Sequence, residues 1–530
     1  MATSYTSKKL AFNNAEQFKE SFYEPEPATL GYVFIGNHIP WTNDDVPDSI
    51  SDTVKDEKSV WDNMYAAKRV TGNDVELVVP KIDWTGNTKY RQYDDTITLS
   101  DLLSSNTSQN LKPMYVVNTD KNVYLCLCNN VSSNSTVEPS GQNLAANGVI
   151  ETSDGYLWKY LYNVRASNRF LTTNWIPAPT STSKLDYSTS ANIAVDGELS
   201  KIVVTNGGTG YIHSNVIVSA FQTGCTILTV LSTDDTVSPN LSAALKNTAN
   251  MSITGTGLGG SYYVASVDSV NLKITLSTGA TANGGGSNTA NALALTTRVY
   301  VEGDGTTVLS QPRLSGNSIQ KIIVTTRGRD YTYTNVRIFG TGTGATARAV
   351  LPPKFGHGFN SAKQLGASNV MVAMKIGEID STEGGLISAN TTFRQYGLLR
   401  DPYKYGATIQ ANTAVANSVI SQTTDLTLVA GTAYNLNEFV YQGASINSTS
   451  FSGYINDFTS NVVRLTKVRG SAQVGAPLIG ANTNPSGRRV ISQKNPEFQP
   501  YTGDVMHVEN IVKTERTDGQ AENLKFVVRF

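Results

Sequence analysis

The chain has 530 residues, a formal net charge of -1 and only 16% charged residues, and it is rich in Ser, Thr, Asn and Gly. The absence of a basic excess argues against a free-standing nucleic-acid-binding protein, and no apolar stretch approaches the roughly 18–20 residues that a membrane helix needs. The composition excludes a helical bundle or coiled coil and favours strands joined by many turns, in three or four domains.

The first third of the chain predicts mostly strands with two helices. The helices are expected at residues 15–23 and 57–70, the second from apolar residues at helical spacing. Strands are expected at 30–35, at 75–80 and 97–103, and in a hairpin formed by 114–118 and 123–128. The start of the chain lacks the apolar core of a signal peptide, so we expect a cytosol-like compartment.

An aromatic strand follows at residues 148–165. Tyr156, Trp158, Tyr160 and Tyr162 alternate, and a period of two places them on one face of a strand. A stacking platform for sugars or bases is one interpretation, but no basic residues are interleaved. The pattern therefore favours a core or interface face.

Residues 201–230 and 321–350 form an internal repeat. They align without gaps, and 12 of 30 positions are identical, including a Gly followed three residues later by a Tyr. Each copy predicts three strands joined by Gly turns. Because two copies are too few for a solenoid, we expect them to form two halves of one small inserted β domain, residues 196–350.

The rest of the chain also predicts strands. Residues 370–376 predict a strand, and 411–492 predict a second, smaller inserted barrel or sandwich. The end of the chain, 501–530, predicts a closing hairpin. The expected fold class is therefore mainly β, with several β-sandwich or small β-barrel domains, inserted domains and few short helices.

The sequence contains no recognisable catalytic, metal or cofactor motif. Its four histidines are far apart, and it has no nucleophile elbow, phosphate loop or calcium loop. The Gly-rich runs 255–260 and 340–344 lack the following helix that phosphate binding requires. We therefore expect no catalytic residues, no metal ligands and no cofactor.

Two further groups of reactive side chains are expected to be inert. The acidic loop with Asp44, Asp45, Asp48 and Asp52 predicts a solvated surface, and Asp83, Asp94 and Asp95 make no case for a catalytic carboxylate pair. The cysteines, at positions 126, 128 and 225, are expected to be reduced thiols that pack as small hydrophobic side chains.

Several short strings nevertheless recur in a specific order. They include a strand ending in Pro-Trp, a Pro-x-x-Asp-Trp string, an aromatic string in which Ser153 replaces the usual first Gly, and a C-terminal Gly-Asp, Glu-Asn and Phe. The positions are Pro40, Trp41, Pro80, Asp83, Trp84, Asp154, Gly155, Tyr156, Trp158, Tyr160, Gly503, Asp504, Glu509, Asn510 and Phe530. This series resembles the baseplate wedge protein of contractile-tailed bacteriophages, the product of gene eight in T-even-like phages.

The resemblance covers about half of the chain, and its implications are structural. It implies a discontinuous β-sandwich core, 1–195 with 351–410 and 493–530, and a symmetric homodimer. It implies other wedge subunits as partners, a place in the virion tail baseplate after assembly in the host cytoplasm, and a part in the shape change of the baseplate on infection. It implies no enzymatic activity, and together with the charge and hydropathy of the chain we expect no nucleic acid, membrane or small-molecule substrate as partner.

The two insertions, 196–350 and 411–492, depart from the shorter members of that family. The Gly-Tyr repeat resembles modules of cyanophage virion proteins, so the function of the insertions is not implied. An alternative is a receptor-binding or carbohydrate-binding protein of the tail-fibre type, which would be expected to be trimeric. A cytosolic enzyme with an unrecognised site is a third alternative.

Overall fold

A computed structural model describes residues 7–23, 30–180, 191–234, 245, 248–255, 258–281, 291–376, 379–380, 385–387, 390–407, 419–517 and 522–530. It is mainly β, with 48% strand and 10% helix, and contains several sheets and two small six-stranded barrels. The fold class expected from the sequence is therefore confirmed.

The described α-helices are few and short. They are α1 (Lys8–Glu20), α2 (Val54–Asn63), α3 (Leu99–Leu102) and α4 (Ser361–Gln364). Turns of 3₁₀ helix lie at Gly72–Asp74, Thr107–Gln109, Leu144–Ala146 and Val164–Phe170.

The strands alternate with turns along almost the whole described chain. They are β1 (Gly31–Gly36), β2 (Met64–Arg69), β3 (Val75–Pro80), β4 (Lys89–Tyr90), β5 (Leu111–Lys112), β6 (Tyr115–Val117), β7 (Asn122–Cys128), β8 (Val149–Glu151), β9 (Leu157–Asn163), β10 (Trp175–Pro177), β11 (Ile202–Thr209), β12 (Ser214–Val218), β13 (Ile227–Thr233), β14 (Ser252–Thr254), β15 (Ser261–Asp268), β16 (Lys273–Leu276), β17 (Asn291–Thr296), β18 (Arg298–Gly303), β19 (Thr306–Ser315), β20 (Ser318–Arg329), β21 (Thr334–Phe339), β22 (Thr343–Ala349), β23 (Asn369–Ile376), β24 (Ile379–Asp380), β25 (Gly385–Leu386), β26 (Thr391–Arg400), β27 (Val419–Ser421), β28 (Thr424–Leu428), β29 (Phe439–Ser445), β30 (Ser448–Thr459), β31 (Val462–Gly470), β32 (Pro477–Gly480), β33 (Arg488–Lys494), β34 (Asp504–Arg516) and β35 (Glu522–Arg529).

The chain divides into two compact units. Unit 1 comprises Met1–Pro80, Ser167–Ala178 and Gly366–Phe530, and unit 2 comprises Lys81–Ala166 and Pro179–Leu365. The domain boundaries drawn from the sequence, including the inserted segments 196–350 and 411–492, stay predictions.

Unit 1 contains two packed sheets and a barrel. Sheet I has the strand order β27-β2-β1-β26-β34, and sheet II has the order β10-β3-β23-β35. Side chains of both sheets, among them Ile35, Tyr65 and Ile376, share one core, as expected of a β-sandwich. Barrel 2, in the order β28-β31-β30-β29-β32-β33, closes around its own core, which includes Val440, Ile455 and Leu465.

Unit 2 contains three larger sheet systems. Sheet III has the order β6-β7-β9-β8, sheet IV has the order β19-β20-β11-β22, and barrel 1 runs β12-β13-β16-β15-β14-β17. A two-stranded ribbon, β18–β21, shares its core with sheet IV, through Val299 and Val301 against Ile202 and Ile322.

Each copy of the repeat forms three strands, as predicted, but the copies differ in their partners. Their first strands, β11 and β20, pair at the equivalent residues Ile202 and Ile322. Strands β12 and β13 then enter barrel 1, whereas β21 joins the ribbon and β22 joins sheet IV. The repeated Gly keeps a positive φ, +63° at Gly328, and a Cβ there would lie 3.0 Å from the ring of Tyr331. The Gly and Tyr recur because the ring packs on the bare backbone.

Three local predictions are wrong. Helix α2 ends at Asn63, and residues 64–69 form β2, because pairing with β1 and β27 overrides helical spacing. Residues 99–102 form α3 rather than a strand, and its N-cap is Thr98, which accepts a hydrogen bond from the backbone N–H of Asp101. The closing hairpin is absent because β34 pairs with β26 in sheet I and β35 pairs with β23 in sheet II.

Candidate interaction sites

The alternating aromatic residues of β9 are buried in sheet III. Trp158 is fully buried, and its ring lies 5.4 Å from Tyr156 and 5.5 Å from Tyr90, measured between centroids. Tyr160 belongs to the same core cluster, and Trp84 packs against it. The interpretation as a core face is confirmed, and these rings form no open stacking platform.

Asp154 organises the turn that precedes β9. Burial alone would raise its pKa, but the hydrogen bonds that it accepts outweigh this effect and hold the pKa below its ordinary value. The carboxylate is therefore ionised at neutral pH and serves as a turn acceptor, not as a catalytic acid. It accepts hydrogen bonds from the hydroxyls of Thr152 and Ser135 and from the backbone N–H groups of Thr136, Val137 and Tyr156, at 2.5–3.2 Å.

Two motif strings meet beside this turn. The Trp84 indole donates to Ser135 Oγ at 3.2 Å, the same hydroxyl that bonds Asp154. A Cβ on Gly155 would lie 2.7 Å from the Asn130 side chain, so the position requires a small residue. The exposed carboxylate of Asp83 forms an ion pair with Lys81, 2.7 Å from Nζ, and its backbone forms a β-bridge with Val117.

A second set of motif residues meets in unit 1 around Arg394, a strand residue that is only 2% exposed. Arg394 binds both carboxylate oxygens of Asp44, at 2.6 and 2.8 Å, and donates to the carbonyl of His38 at 2.8 Å. This pairing is the main cause that lowers the pKa of Asp44. We call Arg394, Asp44 and His38 the Arg394 junction. The Asp44 side chain stays 35% exposed while it pairs with this buried arginine, and the other three acidic residues of that loop are exposed, as the prediction of a solvated loop requires.

The Pro-Trp motif and the C-terminal motif meet at the edge of sheet I. The Trp41 indole donates to the carbonyl of Ile511 at 3.1 Å, and Asn510 donates to the carbonyl of Asp48 at 2.8 Å. Glu509 accepts from the Tyr396 hydroxyl. The segment after β1 therefore covers part of the open edge of β34, which limits pairing with another chain there.

The remaining motif residues of this region lie near the surface. Gly503 has a positive φ of +70°, and Asp504 makes an ion pair of 2.6 Å with Arg400 in which both side chains are exposed. Pro40 is exposed and lines a polar cavity of about 500 Å³ next to the Arg394 junction. Its charged lining residues pair with neighbours, as in Lys513–Glu515 and Arg516–Glu522.

His38 joins the Arg394 junction to barrel 2. Its ring nitrogens lie 2.6 Å from Asn437 Oδ1 and 2.6 Å from Thr466 Oγ1. Burial lowers the pKa of His38 to about 4, and the cations of Lys467 and Arg394 add to this effect. The ring is therefore neutral near pH 7 and acts as a structural hydrogen-bonding group.

Pro80 and Phe530 lie together at one end of sheet II. They line a groove of about 590 Å³ with Lys8, Asn174, Trp175, Ser368, Asn369 and Arg529, which we call the Trp175 groove. Phe530 is 41% exposed, and the Arg529 guanidinium lies 5.9 Å from the Trp175 ring. The lining side chains include two cations and no acidic residue. The groove therefore suits an acidic partner segment.

Sequence reasoning missed Arg394, Trp175 and Arg529. Arg394 lies between Phe393 and the apolar end of β26, and this was a usable signal, because a charge on a buried strand requires a partner. No comparable pattern marks Trp175 and Arg529, since their proximity depends on the pairing of β10 with β3 and of β35 with β23.

Within the described ranges, no group of three or more His, Cys, Asp or Glu side chains is placed to hold a metal ion. The cysteines are all free thiols; Cys126 is buried in the sheet III core, where burial raises its pKa, and the other two are partly buried. Asp94 and Asp95 both pair with Arg348, at 2.5 and 2.7 Å. None of the helices in the described part of the chain is long and apolar enough to cross a membrane.

The chain is similar to the baseplate wedge protein gp8 of Enterobacteria phage T4. The two are 23% identical over 188 residues, which cover 28% of this chain and 54% of the T4 protein. The chain thus matches about half the length of this curated relative. No family model matches the chain.

Proposed function

We propose that this protein is a structural subunit of a bacteriophage tail baseplate, of the wedge kind, without enzymatic activity or a cofactor. The observation that carries the proposal is the similarity to a protein named as a baseplate wedge subunit. The positions that suggested this family from the sequence also come together in space, Trp84 near Asp154 and Trp41 near Asn510. Their contacts fix turns and strand edges, as a structural role requires.

The proposal includes assembly with other wedge subunits and a homodimer. It also includes a place in the virion after assembly in the host cytoplasm, and a part in the shape change of the baseplate on infection. No nucleic acid, membrane or small-molecule substrate is part of it. Rigid β domains suit a protein that stays in a large assembly, because stable complexes need large complementary surfaces.

The Trp175 groove is the proposed site for a neighbouring subunit. Trp and Arg dominate the binding energy of many protein interfaces, and here Trp175 and Arg529 lie beside the exposed motif residues Pro80 and Phe530. The cations of the groove favour an acidic segment of the partner.

The test is co-purification of the full chain with candidate wedge proteins of the same phage, preceded by light scattering of the chain alone. We expect a mass near twice 57.0 kDa and a stable complex with at least one partner. Trp175→Ala should weaken that complex by tenfold or more, an effect of about 1.4 kcal/mol. Tyr405→Ala, which removes another exposed ring of unit 1, should leave it unchanged.

Failure to join any wedge complex would refute the proposed function. A mass near three times that of the chain would instead favour the tail-fibre alternative. If both variants bind the partner as the wild type does, the Trp175 groove is not the contact site.

A further inference from the structure

The ribbon of unit 2 has one buried and one outward face. Val299 and Val301 of β18 pack into the core of sheet IV, and Val336 and Ile338 of β21 pack against the same core. The alternate residues must point the other way. The outward face therefore carries Arg298, Tyr300, Glu302, Tyr333, Asn335 and Arg337, with Tyr300 paired across from Arg337 and Glu302 from Asn335.

Arg298 differs from the neighbouring arginines of unit 2. Its guanidinium carbon lies 4.1 Å from the centroid of the Tyr263 ring and 5.1 Å from that of Tyr300. Among the described residues it has no hydrogen-bond acceptor and no acidic partner, whereas Arg337 pairs with Glu302 at 2.8 Å. Stacking occupies the flat faces of the guanidinium and leaves its N–H edges able to donate.

The surroundings of Arg298 are aromatic and well positioned. Tyr263 is 37% exposed and Tyr300 is 43% exposed, whereas the more exposed Tyr333, at 59%, lies at the opposite end of the ribbon. Tyr333 is held by Asp304, which accepts hydrogen bonds from the backbone N–H groups of Tyr333 at 3.3 Å and of Thr332 at 2.9 Å. The face thus presents two partly exposed rings, Tyr263 and Tyr300, against a cation that lacks a counter-charge.

We propose that this face, the Arg298 face, binds an acidic saccharide that carries a carboxylate. The carboxylate would pair with the N–H fork of Arg298, which matches its planar geometry. The apolar side of a sugar ring would rest on the exposed Tyr300, the ribbon ring that lies against Arg298. The hydroxyls would meet the planar polar groups of Glu302 and Asn335, already linked by a hydrogen bond of 3.2 Å.

The charge pattern favours a saccharide over a nucleic acid. Arg337 is neutralised by Glu302, and Asp304 adds a negative charge to the same face. A nucleic-acid groove would instead need several uncompensated cations along its length. The Arg298 face offers only one, which suits a ligand of low charge density.

This inference goes beyond the proposed function, since it adds glycan recognition to a subunit of the baseplate. The two fail separately: co-purification with wedge partners tests the first, and glycan binding by the isolated full chain tests the second.

The experiment is calorimetric titration of the full chain with trisaccharides that carry one uronic acid (galacturonate, glucuronate or mannuronate) and two neutral sugars, and with their neutral methyl esters. We expect at least one acid to bind, and its ester to bind about tenfold more weakly or not at all, because the ester loses the charge-assisted hydrogen bonds to Arg298. A thymidine decanucleotide is titrated as the competing class of ligand.

Three variants locate the site. Arg298→Ala and Arg298→Lys should each weaken binding, the first by about tenfold or more, since Lys keeps the charge but loses the planar fork. Tyr300→Ala should weaken binding with little effect on folding, because its ring is 43% exposed and lies against Arg298. Arg313→Ala is the control, an exposed arginine on β19. Thermal melts check that each variant is folded.

Several results would overturn the proposal. These are no binding of any of the acids, equal binding of acid and ester, or unchanged affinity in folded Arg298→Ala. Binding of the decanucleotide in place of the saccharides would assign the face to nucleic acid.

Discussion

Acidification should loosen unit 1 through a single buried ring, that of His38. The folded chain holds this ring neutral, with a pKa lowered to about 4 by burial, against about 6.5 for an exposed histidine. Between pH 6.5 and pH 4, His38 is protonated in the unfolded chain but mostly neutral in the folded chain. The contribution of His38 is therefore fully present above pH 6.5 and is lost as the pH falls toward 4.

The size of the effect follows from the two pKa values. At pH 5 the ring lies about 1.5 pH units below the unfolded pKa and still above the folded one, so the loss is about 2 kcal/mol. The loss is about 3 kcal/mol at pH 4, and it reaches its full value of about 3.4 kcal/mol below that pH. A loss of 2 kcal/mol corresponds to roughly a thirtyfold change in the folding equilibrium.

The assay is hydrogen exchange followed by mass spectrometry, at pH 7, 6 and 5, on the most protected amides of β1 and β26, which belong to unit 1. Wild-type protection, corrected for the intrinsic effect of pH, should fall by about thirtyfold or more from pH 7 to 5. His38→Gln is expected to be less protected than the wild type at pH 7. Because Gln does not titrate, the fall in its protection from pH 7 to 5 should be about thirtyfold smaller than that of the wild type.

His213→Gln, in unit 2, is the matched control and should retain the wild-type loss in the peptides of unit 1. The reasoning is refuted if His38→Gln loses as much protection between pH 7 and 5 as the wild type does. Other groups also titrate in this range, so the difference between the two proteins, and not the absolute loss, carries the conclusion.

Two further predictions concern single positions in unit 2. Gly328→Ala should lower the free energy of unfolding by about 2 kcal/mol or more, because at φ +63° a Cβ would lie 2.4 Å from a backbone oxygen. Gly316→Ala is the control: φ there is +58°, but nothing lies within 4 Å of the added Cβ, so it should cost about 1 kcal/mol. Both are measured by urea unfolding. Asp154→Ala should cost about 1–3 kcal/mol because it leaves turn donors unpaired, whereas Asp83→Ala, which removes an exposed ion pair, should stay within about 0.5 kcal/mol in the same titration. Equal effects within either pair would contradict the proposed contacts.

A strand was predictable where its residue pattern is compatible with only one type of secondary structure. The run that became β23 is apolar at almost every position, and it is buried between β3 and β35. The segment 64–69 was not predictable, because its apolar residues satisfy helical spacing equally well. Pairing with β1 and β27, which are distant in sequence from each other, decided between the two.

Long-range pairing also explains the wrong hairpin at the end of the chain. Local sequence shows two strands separated by a short polar stretch, the usual pattern of a hairpin. In the structure β34 and β35 lie in different sheets because β26 and β23 each offer an open edge. No local property of residues 501–530 identifies those edges.

The residues of the candidate sites were likewise predictable only in part. The order of the motif strings along the chain identified Trp41, Asp154 and Phe530 as positions of interest. It did not identify their functions, because each function depends on a partner that is distant in sequence. Asp154 is a turn acceptor and Trp41 covers a strand edge, whereas Phe530 remains 41% exposed beside Trp175. Side chains that the fold already uses for its own hydrogen bonds are poor anchors for a partner, since binding would have to break those contacts.

The exposed residues therefore carry the functional argument. Phe530 and Trp175 offer apolar surface next to Arg529, and Tyr300 offers it against Arg298. In both places a cation lies against an aromatic ring, so its flat face is already packed and little side-chain entropy remains to be lost on binding. Arg394, by contrast, is saturated by Asp44 and the carbonyl of His38. The same residue type thus stabilises the fold where its donors are filled and remains available for recognition where they are not.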